Sequence, residues 1–536
     1  MTANETGATA DSAAETVASL CDDRELVVVS NRQPYSHSYA DGAGDADAAG
    51  DSGADTEDAG TATSGADPIT VDRPAGGLTA SLDPVMQAVE GTWVAWGDGD
   101  ADREVVGPDD AVAVPPEDPS YDLRRVWLTD DQVERYYRGY SNRVLWPLCH
   151  LDTAKMDVRE SFWRAYRETN ADFAEAVLSA ADRDPVVWFQ DYHLSLAPRW
   201  VRDDRPDAFL MHFWHIPWPS RDVFRTCPQA GTLLDGLLAN DLVGFHTDDY
   251  CRNFLDCVEA ETDARVDRAS GSVSYRDHRT FVRPFPLGID AVRQADLAES
   301  DAADEWWAEF REARGIDPSD ALAVGVERLD YTKGIEERLA ALERFWTENP
   351  EWRGELTYVQ KGTESRSGIP AYDALRDRVA AEVDRINDRF GTDDWTPVVY
   401  TTDHLPEAGV AALYREADLG LVTPVRDGMN LVAKEFVAAQ TRDPGALVLS
   451  ELAGATEQLG DEAVLVHPYD TAGFADAIRE ALSLSRAERR RRVADLQREV
   501  HAEDVYEWLE ATFETAAAVD RGRRSLQQSR PSPTDD

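Results

Sequence analysis

Two cations lie five positions apart in the segment VERLDYTKG, and their spacing favours binding of a phosphorylated ligand. Arg328 follows a buried apolar run, and Lys333 stands just before Gly334, where a helical pattern begins. A helix N-terminus with two nearby cations is a physical site for a diphosphate. Surface ion pairing with Asp330 and Glu336 is the alternative interpretation. Three of the chain's four lysines lie in such strand-end segments, which favours the diphosphate.

Two further helix starts offer groups that could complete such a site. The pair Gly76-Gly77 precedes a helical pattern and predicts a second backbone cradle for phosphate, although such a pair is also common in simple turns. Asp427 begins the segment DGMN, which offers one carboxylate and several backbone amides to a polyhydroxylated ligand. Glu435, about two helical turns on, could bind a ribose diol. A helix cap at Asp427 and a solvated helix face at Glu435 are the alternatives.

Other polar residues that follow apolar runs suit a second, phosphorylated sugar. Arg32 in the N-terminal half and Arg366 in the C-terminal half each follow a predicted strand and could bind a phosphomonoester. His215 precedes Ile-Pro and is interpreted as a neutral group that hydrogen-bonds a sugar hydroxyl. Tyr137 and Trp146 could stack on a sugar ring, and core packing is the alternative for both.

The histidine spacing does not favour a metal site. His212 and His215 are three positions apart, and His193 lies two positions after Asp191. No third ligand has the spacing of a zinc site, so we expect no bound metal.

Strand and helix patterns alternate along the chain and would position these residues. About ten apolar runs, such as those at 186–189, 321–326 and 419–423, are separated by helical patterns. This alternation predicts an α/β protein with parallel sheets, in which ligands bind at the carboxyl ends of the strands. Ten strands are too many for one doubly wound sheet, so we predict two Rossmann-like domains joined near residues 286–291.

The predicted domain limits follow from local composition. Segments rich in Ala, Gly, Asp and Ser cannot bury enough apolar surface to become ordered. We therefore predict a disordered acidic tail at 1–23, an N-terminal domain at 24–289 with a disordered acidic insertion at 36–67, a C-terminal domain at 290–485, a helical segment at 486–518 and a flexible tail at 519–536.

The net charge excludes some classes of partner. The 536 residues carry 54 Lys and Arg against 103 Asp and Glu, a formal net charge of −49. Such a chain is a poor ligand for nucleic acid or for an anionic membrane surface. Without the stretches 1–23 and 36–72 the remaining chain still carries −35, and 50 of its 54 bases are Arg. This pattern indicates a halophilic protein, although coding bias would also explain the scarcity of lysine.

Targeting signals are not evident in the sequence. There is no run of 18 apolar residues, and the acidic N-terminal region lacks the pattern of a signal peptide. The five cysteines form no CxxC pair and are interpreted as reduced thiols. These features predict a cytoplasmic protein, and they leave open whether it forms a homo-oligomer.

An ordered set of motifs resembles the trehalose-6-phosphate synthase family, from about residue 26 to about residue 485. In chain order the motifs are SNRQPY, AGGL, YYRGYSNRVLWPLCH, FQDYHL, HIPWP, GFHTDDYCRNFLDC, VERLDYTKG, SRSG, TPVRDGMNLVAKEFVAAQ and LSELAGA. The resemblance implies the GT-B fold, in which two Rossmann-like domains face a central cleft. It also implies a retaining transfer of glucose, without metal or cofactor, from UDP-, GDP- or ADP-glucose to glucose 6-phosphate, giving α,α-trehalose 6-phosphate.

The same resemblance implies roles for individual residues. The implied donor-binding residues are Gly76, Gly77, Arg328, Lys333, His215, Asp427, Gly428, Met429, Asn430, Leu431 and Glu435. The implied acceptor-binding residues are Arg32, Tyr137, Trp146, Asp191 and Arg366. The implied catalytic residues are Arg328, Lys333, His215 and Asp191. No side-chain nucleophile is implied, and the leaving phosphate would help to deprotonate the acceptor hydroxyl.

Two departures from the family pattern keep alternatives open. The acidic insertion stands where bacterial relatives have a short loop, and GTESRSG around Arg366 differs from the commoner PxSRGD. One alternative is a related transferase with another acceptor such as glycerol 3-phosphate, as in glucosylglycerol-phosphate synthase. Another is a catalytically silent sugar-phosphate sensor, which the intact Arg328, Lys333, Asp427 and Glu435 disfavour.

Overall fold

A computed structural model of the chain describes residues 9–21, 24–40, 69–73, 77–181 and 184–528. These residues form two compact units. The N-terminal unit comprises the described residues up to Pro286 together with 506–528, and the C-terminal unit comprises Leu287–Val505. Gly76 and the greater part of the predicted acidic insertion lie outside the described residues.

The N-terminal unit is built on a ten-stranded sheet and a separate two-stranded hairpin. The strand order in the large sheet is β10-β11-β12-β9-β8-β7-β1-β4-β6-β5, and β2 pairs antiparallel with β3. The seven strands from β12 to β6 run parallel, while β5, β10 and β11 pair antiparallel. The strands are β1 Leu26–Val29, β2 Ser36–Tyr39, β3 Ile69–Asp72, β4 Thr92–Trp96, β5 Ala111–Val114, β6 Tyr121–Val126, β7 Val186–Gln190, β8 Phe209–Phe213, β9 Leu242–Phe245, β10 Arg265–Asp267, β11 Ser272–Tyr275 and β12 His278–Pro284.

The C-terminal unit is built on a six-stranded parallel sheet. Its strand order is β15-β14-β13-β16-β17-β18. The strands are β13 Ala321–Arg328, β14 Leu356–Thr363, β15 Val398–Thr401, β16 Leu419–Val422, β17 Ala446–Ser450 and β18 Val464–Val466.

Helices connect the strands in both units. The α-helices are α1 Ala10–Leu20, α2 Gly77–Val89, α3 Asp102–Val105, α4 Asp130–Gln132, α5 Trp146–Cys149, α6 Glu160–Ala180, α7 Ala197–Asp204, α8 Arg221–Phe224, α9 Ala230–Leu237, α10 Asp248–Glu261, α11 Ala291–Glu299, α12 Asp301–Arg314, α13 Ile335–Glu348, α14 Pro370–Phe390, α15 Glu407–Glu416, α16 Leu431–Ala439, α17 Thr456–Leu459, α18 Thr471–Ser483, α19 Arg486–Ala502 and α20 Val505–Gln528. A π-helix spans Val133–Leu145, and 3₁₀ turns span Thr153–Lys155, Tyr192–Leu194, Tyr331–Lys333 and Pro350–Trp352.

The core explains why the parallel strands read as continuous apolar runs. In β13 the neighbouring residues Ala323 and Val324 are both buried, but they belong to different apolar layers. Ala323 packs in the layer that contains α13 and α18, whereas Val324 packs in the layer that contains α15 and α16. A sheet that is covered by helices on both faces buries successive side chains, so it loses the polar alternation of an exposed strand.

The structure corrects the predicted N-terminal tail. The predicted disordered stretch 1–23 contains helix α1, in which Ala13, Val17 and Leu20 are buried. Their spacing by three and four residues places them on one face, which packs near α2. The predicted insertion at 36–67 likewise begins within the ordered strand β2.

The structure also corrects the predicted C-terminal segments. The region 486–518 is divided between α19 and α20, and α20 continues to Gln528 through half of the predicted flexible tail. Helix α20 packs on the large sheet of the N-terminal unit, where the rings of Trp508 and Trp188 lie 5.4 Å apart. The prediction of a flexible tail was wrong for residues 519–528, where Arg523 donates to the Ala208 carbonyl oxygen and Arg524 donates to the Asp184 carboxylate, both at 2.6 Å.

Two remaining sequence predictions concern the environment of the chain. All five cysteines lie within the described residues and are reduced, as predicted. No helix among the described residues has the length and apolar content needed to cross a membrane.

Candidate active site

The end of β13 presents Lys333 at the start of a helix. After Arg328 the chain makes a 3₁₀ turn over Tyr331–Lys333 and enters α13 at Gly334. Gly334 has φ +68°, and a Cβ there would lie 2.1 Å from the carbonyl oxygen of Thr423. Only glycine fits this turn, and the turn brings Lys333 to the N-terminal end of α13.

Lys333 meets Asp427, which lies 94 positions later in the chain. The distance from Lys333 Nζ to Asp427 Oδ2 is 2.6 Å, and the two side chains are only 16% and 15% exposed. The Asn430 side-chain amide donates to the same carboxylate oxygen at 2.9 Å. Two predicted donor-site residues from separate segments are therefore in direct contact within the C-terminal unit.

The carboxylate of Asp330 supports the turn that carries Lys333. It accepts hydrogen bonds from the backbone N–H and the hydroxyl of Thr332, at 3.0 and 2.9 Å. Arg366 Nη1 lies 2.8 Å from Asp330 Oδ2, and the Tyr372 hydroxyl donates to that oxygen at 3.2 Å. Arg366 is 8% exposed and has φ +54°. The structure thus gives Arg366 a partner beneath the Lys333 turn, and its contact with an acceptor phosphate stays a prediction.

A second buried ion pair fixes the end of β13. Arg338 on α13 donates to both carboxylate oxygens of Glu327, at 3.1 and 2.9 Å, and to the Leu421 carbonyl oxygen at 2.9 Å. The pair joins β13, α13 and β16 immediately before Arg328. Sequence reasoning missed both residues. Glu327 could have been noticed as a carboxylate at the end of a buried strand, and Arg338 as a base on the apolar face of α13.

Helix α16 holds the other donor-side residues. Asn430 has φ +89°, and its side-chain oxygen accepts the N–H of Ala433 at 3.3 Å, which caps the helix. The segment before the helix is fixed because the Met429 carbonyl oxygen accepts the N–H of Ala455 at 2.8 Å. Glu435 accepts the Tyr414 hydroxyl at 3.3 Å, and burial raises the pKa of its carboxyl above the ordinary value.

The residues that we predicted to cradle phosphate through Gly76-Gly77 are only partly within the described chain. Helix α2 begins at Gly77, as the sequence pattern suggested, whereas Gly76 lies outside the described residues.

In the N-terminal unit, the π-helix places two consecutive tyrosines against the segment that follows β1. The Tyr136 hydroxyl donates to the Asn31 side-chain oxygen at 2.7 Å, and Arg32 Nη2 donates to the Tyr137 hydroxyl at 3.1 Å. Arg32 and Tyr137, both predicted to bind the acceptor, are thus neighbours. Trp146 is 5% exposed and packs against the His150 ring with 4.1 Å between the ring centroids, which favours core packing over a sugar contact for much of its surface.

Asp191 and His193 stand at the end of β7. Asp191 has φ +66°, and its N–H donates to the Phe213 carbonyl oxygen at 2.7 Å. Its carboxylate lies 3.7 Å from His193 Nδ1, and the His193 ring stacks on Tyr137 with 5.8 Å between centroids. Asp191 is therefore in the same polar region as the Arg32–Tyr137 pair, as an acceptor-binding group requires.

His215 follows β8 and hydrogen-bonds a neighbouring amide. Its Nε2 lies 2.9 Å from the Gln190 side-chain oxygen. Burial, with smaller effects from His246 and His212, lowers the pKa of His215 well below its ordinary value. His215 is therefore neutral at pH 7, which matches the interpretation of this residue as a neutral hydrogen-bonding group.

No three His, Cys, Asp or Glu side chains of the described part of the chain are grouped closely enough to hold a metal ion.

Comparison with known proteins assigns this arrangement to a family. The sequence profile of glycosyltransferase family 20 matches residues 54–518. A bifunctional trehalose-6-phosphate synthase/phosphatase of Thermoproteus tenax is 39% identical over 81% of this chain, and the match spans 59% of that relative's length. A trehalose-6-phosphate synthase of Mycolicibacterium smegmatis is 36% identical over 87% of this chain and 92% of its own.

Solved structures agree with the sequence comparison. A trehalose-6-phosphate structure from E. coli, bound with UDP-2-fluoroglucose, superposes with a TM-score of 0.77 at 31% identity and covers 92% of this chain and 99% of its own. A UDP-forming α,α-trehalose-phosphate synthase of Burkholderia xenovorans in complex with glucose 6-phosphate gives a TM-score of 0.76 at 29% identity, covering 94% and 100%.

Proposed function

Because the chain belongs to glycosyltransferase family 20, we propose that it transfers glucose from a nucleoside-diphosphate glucose to glucose 6-phosphate, with retention, and forms α,α-trehalose 6-phosphate. The fold is GT-B, as predicted. The observation that carries the proposal is the contact of Lys333 with Asp427 at the start of α13. It brings together a cation for a diphosphate and a carboxylate for sugar hydroxyls.

The donor would be bound by the C-terminal unit. Lys333 has three N–H donors, so it can serve Asp427 and phosphate oxygens together. Arg328 would provide the second cation, and the positive end of α13 would add to both. Asp427 and the backbone from Gly428 to Leu431 would bind glucose hydroxyls, and Glu435 would bind the ribose diol. Relatives that are named as UDP-forming, or that are bound with a UDP sugar, favour UDP-glucose over GDP- or ADP-glucose.

The acceptor would be bound by Arg32, Tyr137 and Asp191 of the N-terminal unit, with Arg366 of the C-terminal unit as a further candidate. Arg32 donates to Tyr137, and its guanidinium, a planar fork of five N–H donors, suits a phosphomonoester. Asp191 would accept hydroxyl protons of the acceptor sugar, and neutral His215 would bind a hydroxyl of the transferred glucose. Arg366 would bind the acceptor phosphate with the same guanidinium that forms the ion pair with Asp330.

The chemical step needs charge stabilisation and alignment more than a protein nucleophile. The bond between the glucose anomeric carbon and the diphosphate oxygen breaks, and the acceptor hydroxyl oxygen bonds to that carbon on the same face. The hydroxyl proton passes to the leaving diphosphate. Negative charge grows on the diphosphate as the bond breaks, and cations already held in place at Arg328 and Lys333 stabilise it without reorganisation.

Two finer proposals come from the composition. The acidic, lysine-poor sequence favours a halophilic protein of the cytoplasm, because an acidic surface stays hydrated in concentrated salt. In such a setting the reaction would supply the phosphorylated precursor of a disaccharide osmolyte.

The proposal is tested by a matrix of donors and acceptors at high KCl, with products identified by mass. UDP-, GDP- and ADP-glucose are each combined with glucose 6-phosphate, glycerol 3-phosphate and no acceptor. We expect nucleoside diphosphate release only with glucose 6-phosphate, and full activity in EDTA. Product with glycerol 3-phosphate alone would assign the chain to the related transferase, and no product with any pair would favour a sensor.

A further inference from the structure

Gln190 is a fully buried amide at the end of β7, directly before Asp191. It is 0% exposed, and its side-chain oxygen lies 2.9 Å from His215 Nε2. A glutamine side chain has an accepting end and a donating end, and either end can face an imidazole nitrogen. The orientation of Gln190 therefore determines which nitrogen of neutral His215 carries the hydrogen.

Two neighbouring histidines show the same hydrogen-bonding pattern. His212 Nε2 lies 2.8 Å from the Asp191 carbonyl oxygen, and His246 Nε2 lies 3.0 Å from the His215 carbonyl oxygen. Carbonyl oxygens only accept, so both Nε2 atoms carry the hydrogen. Burial lowers the pKa of His212 to about 4, so its ring is neutral at pH 7. These two imidazoles thus donate hydrogen bonds that fix the backbone carbonyl groups of Asp191 and His215.

The surroundings keep His215 neutral as well. The ring packs on Phe213 with 4.6 Å between centroids. The ionisable groups that act on its charge are His246 and His212, and both disfavour a positive charge on His215. Its hydrogen-bond partner Gln190 is uncharged. A carboxylate at that position would instead stabilise the imidazolium.

We propose that Gln190 is a positioning residue for glucosyl transfer: its side-chain oxygen holds His215 as the Nε2–H tautomer, so that Nδ1 presents a lone pair to a hydroxyl of the donor glucose. The inference rests on the proposed function in one respect, namely that His215 contacts the transferred sugar. The tautomer itself does not depend on that function. With the amide reversed, the Gln190 N–H would donate to Nε2, and Nδ1 would become a donor.

The tautomer is measured directly on the wild-type protein by nuclear magnetic resonance of ¹⁵N-labelled histidine rings. The His215 signals are assigned by their loss in His215→Gln. We expect a neutral ring with the proton on Nε2 from pH 6 to pH 9. A proton on Nδ1, or a charged ring at pH 7, would overturn the proposal whether or not the protein is a transferase.

A matched pair of variants tests the consequence for transfer. Gln190→Met removes the acceptor and should lower kcat/KM for the donor at least about tenfold at every pH. Gln190→Glu keeps an acceptor but adds a negative charge, so the Glu–His pair takes up a proton as the pH falls. We expect kcat/KM for the donor in this variant to drop about tenfold or more from pH 9 to pH 6, with little change in the acceptor KM.

The comparison of the two variants separates positioning from simple packing. A purely structural role would give both variants the same pH profile, and that result would overturn the proposal. If either variant fails to fold, as judged from its melting curve, the ring measurement on the wild-type protein still decides between the two tautomers. A correct tautomer in a protein that is inactive with every donor would overturn the proposed function instead.

Discussion

The two units hold their candidate ligand-binding residues with different kinds of interaction. In the C-terminal unit the residues around the end of β13 are joined by ion pairs. These pairs are Lys333–Asp427, Arg366–Asp330 and Arg338–Glu327. In the N-terminal unit two candidate residues hydrogen-bond neutral side chains, Arg32 with Tyr137 and His215 with Gln190. The difference matches the proposed chemistry, because charge develops on the donor diphosphate, whereas sugar hydroxyls need only be aligned.

The strongest test of this comparison is removal of Lys333. Lys333→Ala should lower kcat by roughly 30- to 1000-fold, since losing one charge-assisted partner of the leaving group costs about 2–4 kcal/mol of transition-state stabilisation. Steady-state kinetics with both substrates saturating measure the effect. Lys155→Ala, at a lysine that is 41% exposed and pairs with Asp152, is the matched control and should retain wild-type turnover.

A second substitution of Lys333 keeps the positive charge but changes the shape of the group that carries it. Lys333→Arg should remain impaired by at least about tenfold, because a compact ammonium can sit between Asp427 and phosphate oxygens where a planar guanidinium does not fit. Wild-type turnover in this variant would mean that Lys333 is only a structural ion-pair partner of Asp427.

Substitutions of the proposed acceptor-binding residues should change the KM for glucose 6-phosphate more than kcat. Arg32→Ala should raise the KM for glucose 6-phosphate about tenfold or more, with kcat changed much less, because the residue is proposed to bind a phosphate that does not change charge in the reaction. Tyr137→Phe removes only the hydroxyl that accepts from Arg32 and should raise the same KM about threefold. A loss confined to kcat in both variants would remove the distinction between the two units.

Lys434 differs from the ion-paired residues of the C-terminal unit, because its ammonium donates to a backbone carbonyl oxygen. It is 1% exposed and donates to the Leu287 carbonyl oxygen at 2.8 Å, and burial lowers its pKa to about 7 despite the opposing effect of Glu503. Between that value and the ordinary lysine pKa, the unfolded chain binds more protons than the folded one. The free energy of unfolding therefore rises with pH in this range.

Lys434→Met provides the measurement. The free energy of unfolding of the wild-type protein should rise by about 2 kcal/mol from pH 7 to pH 9 relative to this variant. Denaturant titrations of both proteins at each pH give the difference. Parallel pH dependences in the two proteins would show that the lysine keeps its ordinary pKa in the folded chain.

The smallest expected effect concerns the whole surface. The melting temperature should increase by several degrees from low to molar KCl, because salt screens repulsion within a chain of net charge −49. A melting temperature that stays flat or falls with KCl would remove the halophilic interpretation.

The sequence predicted the fold class well because buried parallel strands are continuous apolar runs, as in β1 and β16. Strand β6 was missed because its sequence YDLRRV carries three charged residues. One of them, Arg125, is buried through an ion pair with Asp102 at 2.9 Å. Such a partner is distant in the chain, and local patterns do not reveal it.

The candidate site was predictable to the extent that its residues directly follow strands. Arg328, Lys333, Asp191 and His215 were predicted in that way, and their roles toward ligands stay predictions. The sequence also indicated Asp427, but not its contact with Lys333 across 94 positions, and a neutral glutamine such as Gln190 carries no chemical signal of its own. The turn of the π-helix that sets Tyr137 beside Arg32 likewise depends on packing of the folded unit.

The proposed reaction forms an α,α linkage between a donor glucose and glucose 6-phosphate. UDP-glucose carrying ¹³C at C1 is incubated with glucose 6-phosphate in EDTA, and the product is followed by nuclear magnetic resonance. For the proposed transfer we expect one labelled anomeric carbon in the α configuration, bonded through oxygen to the anomeric carbon of the acceptor. A β-configured product, a linkage to another hydroxyl, or release of free glucose without transfer would contradict it.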